Sequence, residues 1–118
     1  MSNRPNLPAG RQVKLYLDDI KEAIRKIESY TRGMIFDEFK NDARTIDAVV
    51  RNIEIIGEAA KHIPAKVRLK HMDVPWKEII GTRSKVIHEY FGVDEAILWR
   101  TITEDLPQLK KQVRKIDS

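Results

Sequence analysis

Gly81-Thr82-Arg83-Ser84-Lys85-Val86-Ile87-His88-Glu89-Tyr90-Phe91-Gly92 holds the residue types best suited to chemistry in this chain. Arg83 is permanently cationic and presents its N–H groups in a fork that matches phosphate oxygens. His88 can give or take a proton near neutral pH. Together they suit phosphate-ester chemistry, one holding the phosphate and the other moving a proton, provided the fold makes them converge. Short motifs recur by chance, so spacing alone leaves a second reading open: a surface histidine beside an interfacial arginine.

The element that must position them is a helix. Trp76, Ile79, Ile80, Val86, Ile87 and Tyr90 recur at helical spacing, with Pro75 at the first position and Gly92 as the C-terminal stop. Arg83 falls inside that apolar stripe, within about 60° of Ile79, Ile80, Val86 and Ile87. A core-facing arginine needs a partner, a cleft or a subunit boundary. On an ideal helix Arg83 and His88 diverge by about 140°, Tyr90 returns to the side of Arg83, and Ser84 shares the face of His88. Convergence therefore calls for a bend at the helix end, the reach of the long arginine stem, or a second copy of the chain.

The remaining elements read as a scaffold for that helix. Residues 1–10, with two prolines and little apolar content, are expected to form a loose tail, and 11–118 a single domain. Val13, Leu17, Ile20, Ala23, Ile24, Ile27 and Tyr30 predict an amphipathic helix from Arg11 to Tyr30. Met34, Ile35, Phe36 and Phe39 then form a connector that seals one end of the core. Asn41 is the expected N-cap of a helix from Asp42 to His62, with Ile46, Val49, Val50, Ile53, Ile56 or Gly57, and Ala60 inward. Gly57, Ala59 and Ala60 let another helix approach closely. Pro64 opens a basic loop or short helix between His62 and His71. Asp94 caps a helix from Glu95 to Asp105, which Pro107 breaks or kinks before a basic terminal segment containing Leu109, Val113 and Ile116. No strand-period alternation stands out. The expected fold is all-α, an antiparallel bundle of four to five helices.

Composition narrows the function classes. The 118 residues contain no cysteine, which excludes disulfides, thiol catalysis and thiolate metal sites and fits a cytoplasmic protein. His62 and His71 lack carboxylates at ligand spacing, so no metal site is read there. No apolar run reaches membrane-spanning length, and the N-terminus lacks the apolar core of a signal peptide. A net charge of +4 permits a polyanionic partner without selecting one.

Arg83-x4-His88-x-Tyr90 resembles the signature of HEPN domains of the HepT-like toxin family. Tyr16-Leu17-Asp18-Asp19-Ile20, the block from Arg51 to Ala60, Trp76-Lys77-Glu78-Ile79-Ile80-Gly81 and Phe91-Gly92-Val93-Asp94 look like that family too, so the resemblance runs roughly from Val13 to Val113. It implies a helical-bundle endoribonuclease toxin that uses no metal or other cofactor. It also implies a homodimer or higher even oligomer in which Arg83 and His88 of two protomers line one cleft. Arg83 would hold the scissile phosphate of RNA, and His88 would act as general acid or base. The implied partner is a minimal nucleotidyltransferase antitoxin of the MntA type, which would adenylylate Tyr90. Many HEPN ribonucleases carry asparagine directly after the motif arginine. Here the position is Ser84, a shorter side chain without the second amide donor, and this bears on catalytic strength. The alternative use of the same bundle is a non-catalytic nucleotide-binding or docking subunit for such a transferase.

Overall fold

The computed structural model describes residues 9–88 and 92–116. The apolar stripe of the first predicted helix winds into α1, Ala9–Thr31, which starts two residues earlier than its sequence pattern suggested. Ile20, Ile24 and Ile27 on that stripe are fully buried. The connector that follows is partly helical, forming α2, Phe36–Lys40, whose start is closed by the Ile35 N–H donating to Glu38 Oε1 at 3.0 Å. Phe39 is its core plug, packed with its ring centroid 5.0 Å from that of Trp99. Ile35, expected in the seal, stays 62% exposed.

The next helix, α3, spans Ala43–Lys61. Its cap is Asp42 rather than the expected Asn41. The Thr45 N–H donates to Asp42 Oδ1 at 3.0 Å and the Thr45 hydroxyl to Oδ2 at 2.8 Å. Asn41 is already used behind it, donating its amide to the Asp37 carbonyl at the end of α2. The short helix α4, Ala65–Lys70, begins after Pro64 as expected. Its Arg68 folds back to donate to the carbonyls of Ala60 and Lys61 at the end of α3 and of Ile63 just beyond it.

α5, Trp76–Val86, packs antiparallel to α3, an orientation set by two contacts along the pair. At one level Gly57 faces the backbone of Ile79 and Ile80; one turn further along, Glu54 meets Arg83. A Cβ built on Gly57 would lie 3.6 Å from the Ile79 and Ile80 carbonyl oxygens, ordinary van der Waals contact. The close approach is therefore real, but it leaves room for a methyl group.

Beyond α5 the chain forms a two-stranded antiparallel hairpin that the sequence pattern did not reveal. β1, Ile87–His88, pairs with β2, Gly92–Val93, in the register Ile87 to Val93 and His88 to Gly92. α6, Glu95–Arg100, follows, capped as expected by Asp94, whose Oδ1 accepts the Ile97 N–H at 3.0 Å. It runs into a π-helical turn, Thr101–Asp105, and on into α7, Leu106–Ile116. Of the break or kink expected at Pro107, the break does not occur: the helix continues through a π-helical turn. The Leu106 N–H reaches back five residues to the Thr101 carbonyl, and this widened turn lies directly ahead of the proline, whose ring and missing N–H disfavour a regular α turn. α7 returns along α1, where Lys110 Nζ lies 3.0 Å from Glu28 Oε1. The all-α bundle is thus as expected, with the hairpin as its one β element among the described residues.

Candidate active site

The buried side of α5 is made by Trp76, Ile79 and Val86. Arg83 does not join them, contrary to its place in the apolar stripe. The close crossing of α3 and α5 is centred on Gly57 with Ile79 and Ile80, and at the level of Arg83 the neighbouring helix offers a carboxylate instead of an apolar side chain. Arg83 Nε donates to Glu54 Oε2 at 3.1 Å, and 57% of the arginine side chain remains exposed. This bond occupies one of the five guanidinium N–H groups. Among the described residues the four on the terminal nitrogens have no partner and stay available in the fork that suits a phosphate.

His88 does not lie on the helix. α5 ends at Val86, where Ile87 turns extended (φ −111°, ψ 116°) while its N–H closes the last turn on the Arg83 carbonyl. Gly92 is no helix stop. It sits in the return strand at φ 77°, a left-handed conformation that costs glycine little, and the Asp94 N–H donates to the Val86 carbonyl at 2.7 Å. The 140° divergence expected of an ideal helix therefore does not apply, because the backbone changes from a helical to an extended period between the two residues. His88 is 45% exposed, and its Nε2 lies 3.8 Å from Asp94 Oδ2. Ser84 is exposed on α5. Tyr90 lies outside the described residues.

Each of the two candidate catalytic groups thus stands in solvent beside a carboxylate of its own: Arg83 beside Glu54 of α3, His88 beside the residue that caps α6. Spacing singled out neither acid. Glu54 lies in the block Arg51 to Ala60 that carried the family resemblance, but its partner is 29 residues away. Asp94 was legible only as a cap, one of its two oxygens being used for that and the other facing the imidazole. Among the described residues no three histidine or acidic side chains gather in a group that could hold a metal ion, and no helix is long and apolar enough to cross a membrane.

The family model described as ribonuclease HepT-like matches residues 20–116, a span that includes Glu54, Arg83 and His88. The chain belongs to this HepT-like family. It is 48% identical over 106 residues to a protein of Thermococcus cleftensis named "Probable ribonuclease HepT", covering 90% of this chain and 96% of that one. It is 46% identical over 101 residues to "Putative RNase TTE0752" of Caldanaerobacter subterraneus, covering 86% and 90% of the two chains. It is 43% identical over 106 residues to "Putative RNase MJ1216" of Methanocaldococcus jannaschii, covering 90% and 88%. No solved structure gives a significant match. The family description and the names of these relatives all specify a ribonuclease.

Proposed function

We propose that this HepT-like chain cuts RNA by transesterification at Arg83 and His88, without a metal ion, in a cleft shared by two protomers. The observation that carries the reading is the solvent-facing guanidinium of Arg83, steadied through Nε by Glu54 with its terminal N–H groups free. In the reaction the ribose 2′-OH attacks the adjacent phosphorus and the bond to the 5′ oxygen breaks, leaving a 2′,3′-cyclic phosphate and a 5′-OH. One His88 imidazole takes the 2′-OH proton, and an imidazolium gives a proton to the leaving oxygen. A dimer supplies both protonation states at once. Arg83 stabilises the charge that grows on the phosphate oxygens in the transition state. DNA, which lacks the internal nucleophile, is not cut.

The same reading makes the chain the toxin of a type VII-like pair whose antitoxin is a minimal nucleotidyltransferase of the MntA type. Adenylylation of Tyr90, two residues beyond His88, would set a bulky anionic phosphate beside a site that must attract a polyanion. Ser84 in place of asparagine supplies one hydroxyl near the phosphate where the usual amide has two N–H groups.

Two experiments test these statements. Purified protein is expected to cleave RNA in EDTA, and Arg83→Ala or His88→Ala to slow cleavage by about a hundredfold or more with the helical circular dichroism unchanged. Cleavage at an undiminished rate in both variants would remove the assigned site. Co-expression with the cognate transferase is expected to add about 329 Da per AMP, the mass of an adenylyl group, at Tyr90. A shift that persists in Tyr90→Phe would remove the regulatory claim.

A further inference from the structure

A cleft of about 440 Å³ opens between α5 and the stretch made by the π-helical turn and α7. It lies apart from the Arg83–Glu54 pair. α5 turns Glu78, Thr82 and Lys85 toward the cleft and Arg83 toward α3, and α3 lends the cleft Ile53 and Ile56 while Glu54 meets Arg83. The volume lies within the range of small-molecule pockets.

Its floor is apolar, built by Ile53, Ile79, Leu106 and Leu109. Its rim is acidic: among the described residues Asp73, Glu78 and Asp105 stand against one cation, Lys85, so these three negative charges and one positive sum to two negative in a chain of net charge +4. None of the three carboxylates has a basic side chain within ion-pair distance among the described residues. A second surface hollow, between α1 and α7, shows the contrast. There Glu22 is held by Arg25, Glu28 by Lys110 and Asp18 by Lys14, so each of its carboxylates has a basic partner. Part of the cleft wall is the π-helical turn, which supplies Thr101 and Asp105, and such turns recur at functional sites. Uncompensated carboxylates above an apolar floor favour a ligand that is cationic at one end and apolar along its body.

We propose that this cleft is a binding site for an organic amine with an apolar body of about ring size, seated on Ile79, Leu106 and Leu109 with its ammonium between Glu78 and Asp105. The site is independent of the ribonuclease reading, because its evidence and its test involve neither RNA nor Arg83. Nuclear magnetic resonance of the isotopically labelled full chain, titrated with 4-phenylbutylamine and separately with 4-phenylbutyrate, is the direct test. The amine is expected to give saturable shifts centred on Glu78, Thr82, Thr101, Asp105 and Gln108, and the carboxylate none at the same concentration. The double variant Glu78→Gln/Asp105→Asn, which leaves the floor intact, is expected to weaken the amine at least about threefold, in line with exposed charge pairs. Equal response to amine and carboxylate, shifts centred elsewhere, or unaltered affinity in a folded double variant would each overturn the site.

Discussion

On the proposed reading, the chemistry rests on two side chains placed by two different devices. Arg83 donates to Glu54 of α3, which makes Glu54 a positioning residue rather than a reacting one on that reading. Arg83→Ala is expected to lower kcat by about 10²–10³, as for loss of one preorganised charge-stabilising donor. Glu54→Gln keeps an acceptor for Nε and is expected to retain most of the rate. Glu54→Ala should cost an intermediate factor of about ten, since a poorly placed group loses orientation but not charge; a loss equal to that of Arg83→Ala would mean that Glu54 itself reacts. Asp94 has two tasks that substitutions can separate. Asn caps a helix as well as Asp does, whereas Asp94→Ala removes the acceptor of the Ile97 N–H and is expected to cost about 1 kcal/mol, read as a drop in Tm that Asp94→Asn does not share. The residue types at the candidate site stood out by their chemistry, and the motif blocks along the chain, more than the short spacing, carried the family resemblance. Glu54 was not, since a partner 29 residues distant leaves no trace in local spacing.

Among the elements, those with long apolar periodicity were read correctly and those decided by local competition were not. α1 and α3 follow from their stripes, and Gly57 was recognised as a point of close approach. The space actually present there predicts that Gly57→Ala is neutral or stabilising by up to about 1 kcal/mol, the helix propensity regained. A loss of more than that in urea unfolding would show that the helices sit closer. The end of α5 was misread because Val86, Ile87 and Tyr90 continue a helical pattern that β-branched residues satisfy equally well as a strand. The cap of α3 was misplaced by one residue because Asn41 and Asp42 are both good caps, and the end of α2 claims the first. Asp42 is held below the ordinary carboxylate range, first by the Thr45 N–H and then by the Thr45 hydroxyl. A depressed folded-state value means that its contribution is full above the unfolded value near 3.8 and fades as pH falls through the lower folded one. Stability of Asp42→Asn is therefore expected to fall less steeply than wild type in that acid window; parallel curves would remove the ion from the cap.

At the scale of the molecule, the bundle presents a cation and an imidazole from adjoining elements, α5 and the hairpin that ends it, and leaves both open to solvent. An open pair does not exclude water or hold a phosphate from both sides, and a second protomer laid across it would do both. Sedimentation is accordingly expected to show a dimer at micromolar concentration, and a monomer throughout would contradict a shared cleft. Fold class and family were legible across most of the chain, because the bundle follows from apolar periodicity and the motif blocks recur along it. Assembly was not, since a shared surface needs no periodic pattern. In the proposed reaction the 2′-OH of RNA is the nucleophile, and Arg83 and His88 promote its attack. The most direct measurement is cleavage, in EDTA, of an RNA oligonucleotide against the same oligonucleotide carrying one 2′-deoxy sugar at the cut position. Loss of that cut alone, with a 2′,3′-cyclic phosphate on the unmodified product, is the predicted result. Undiminished cutting at the deoxy position, or a product ending in a 3′-hydroxyl, would contradict it.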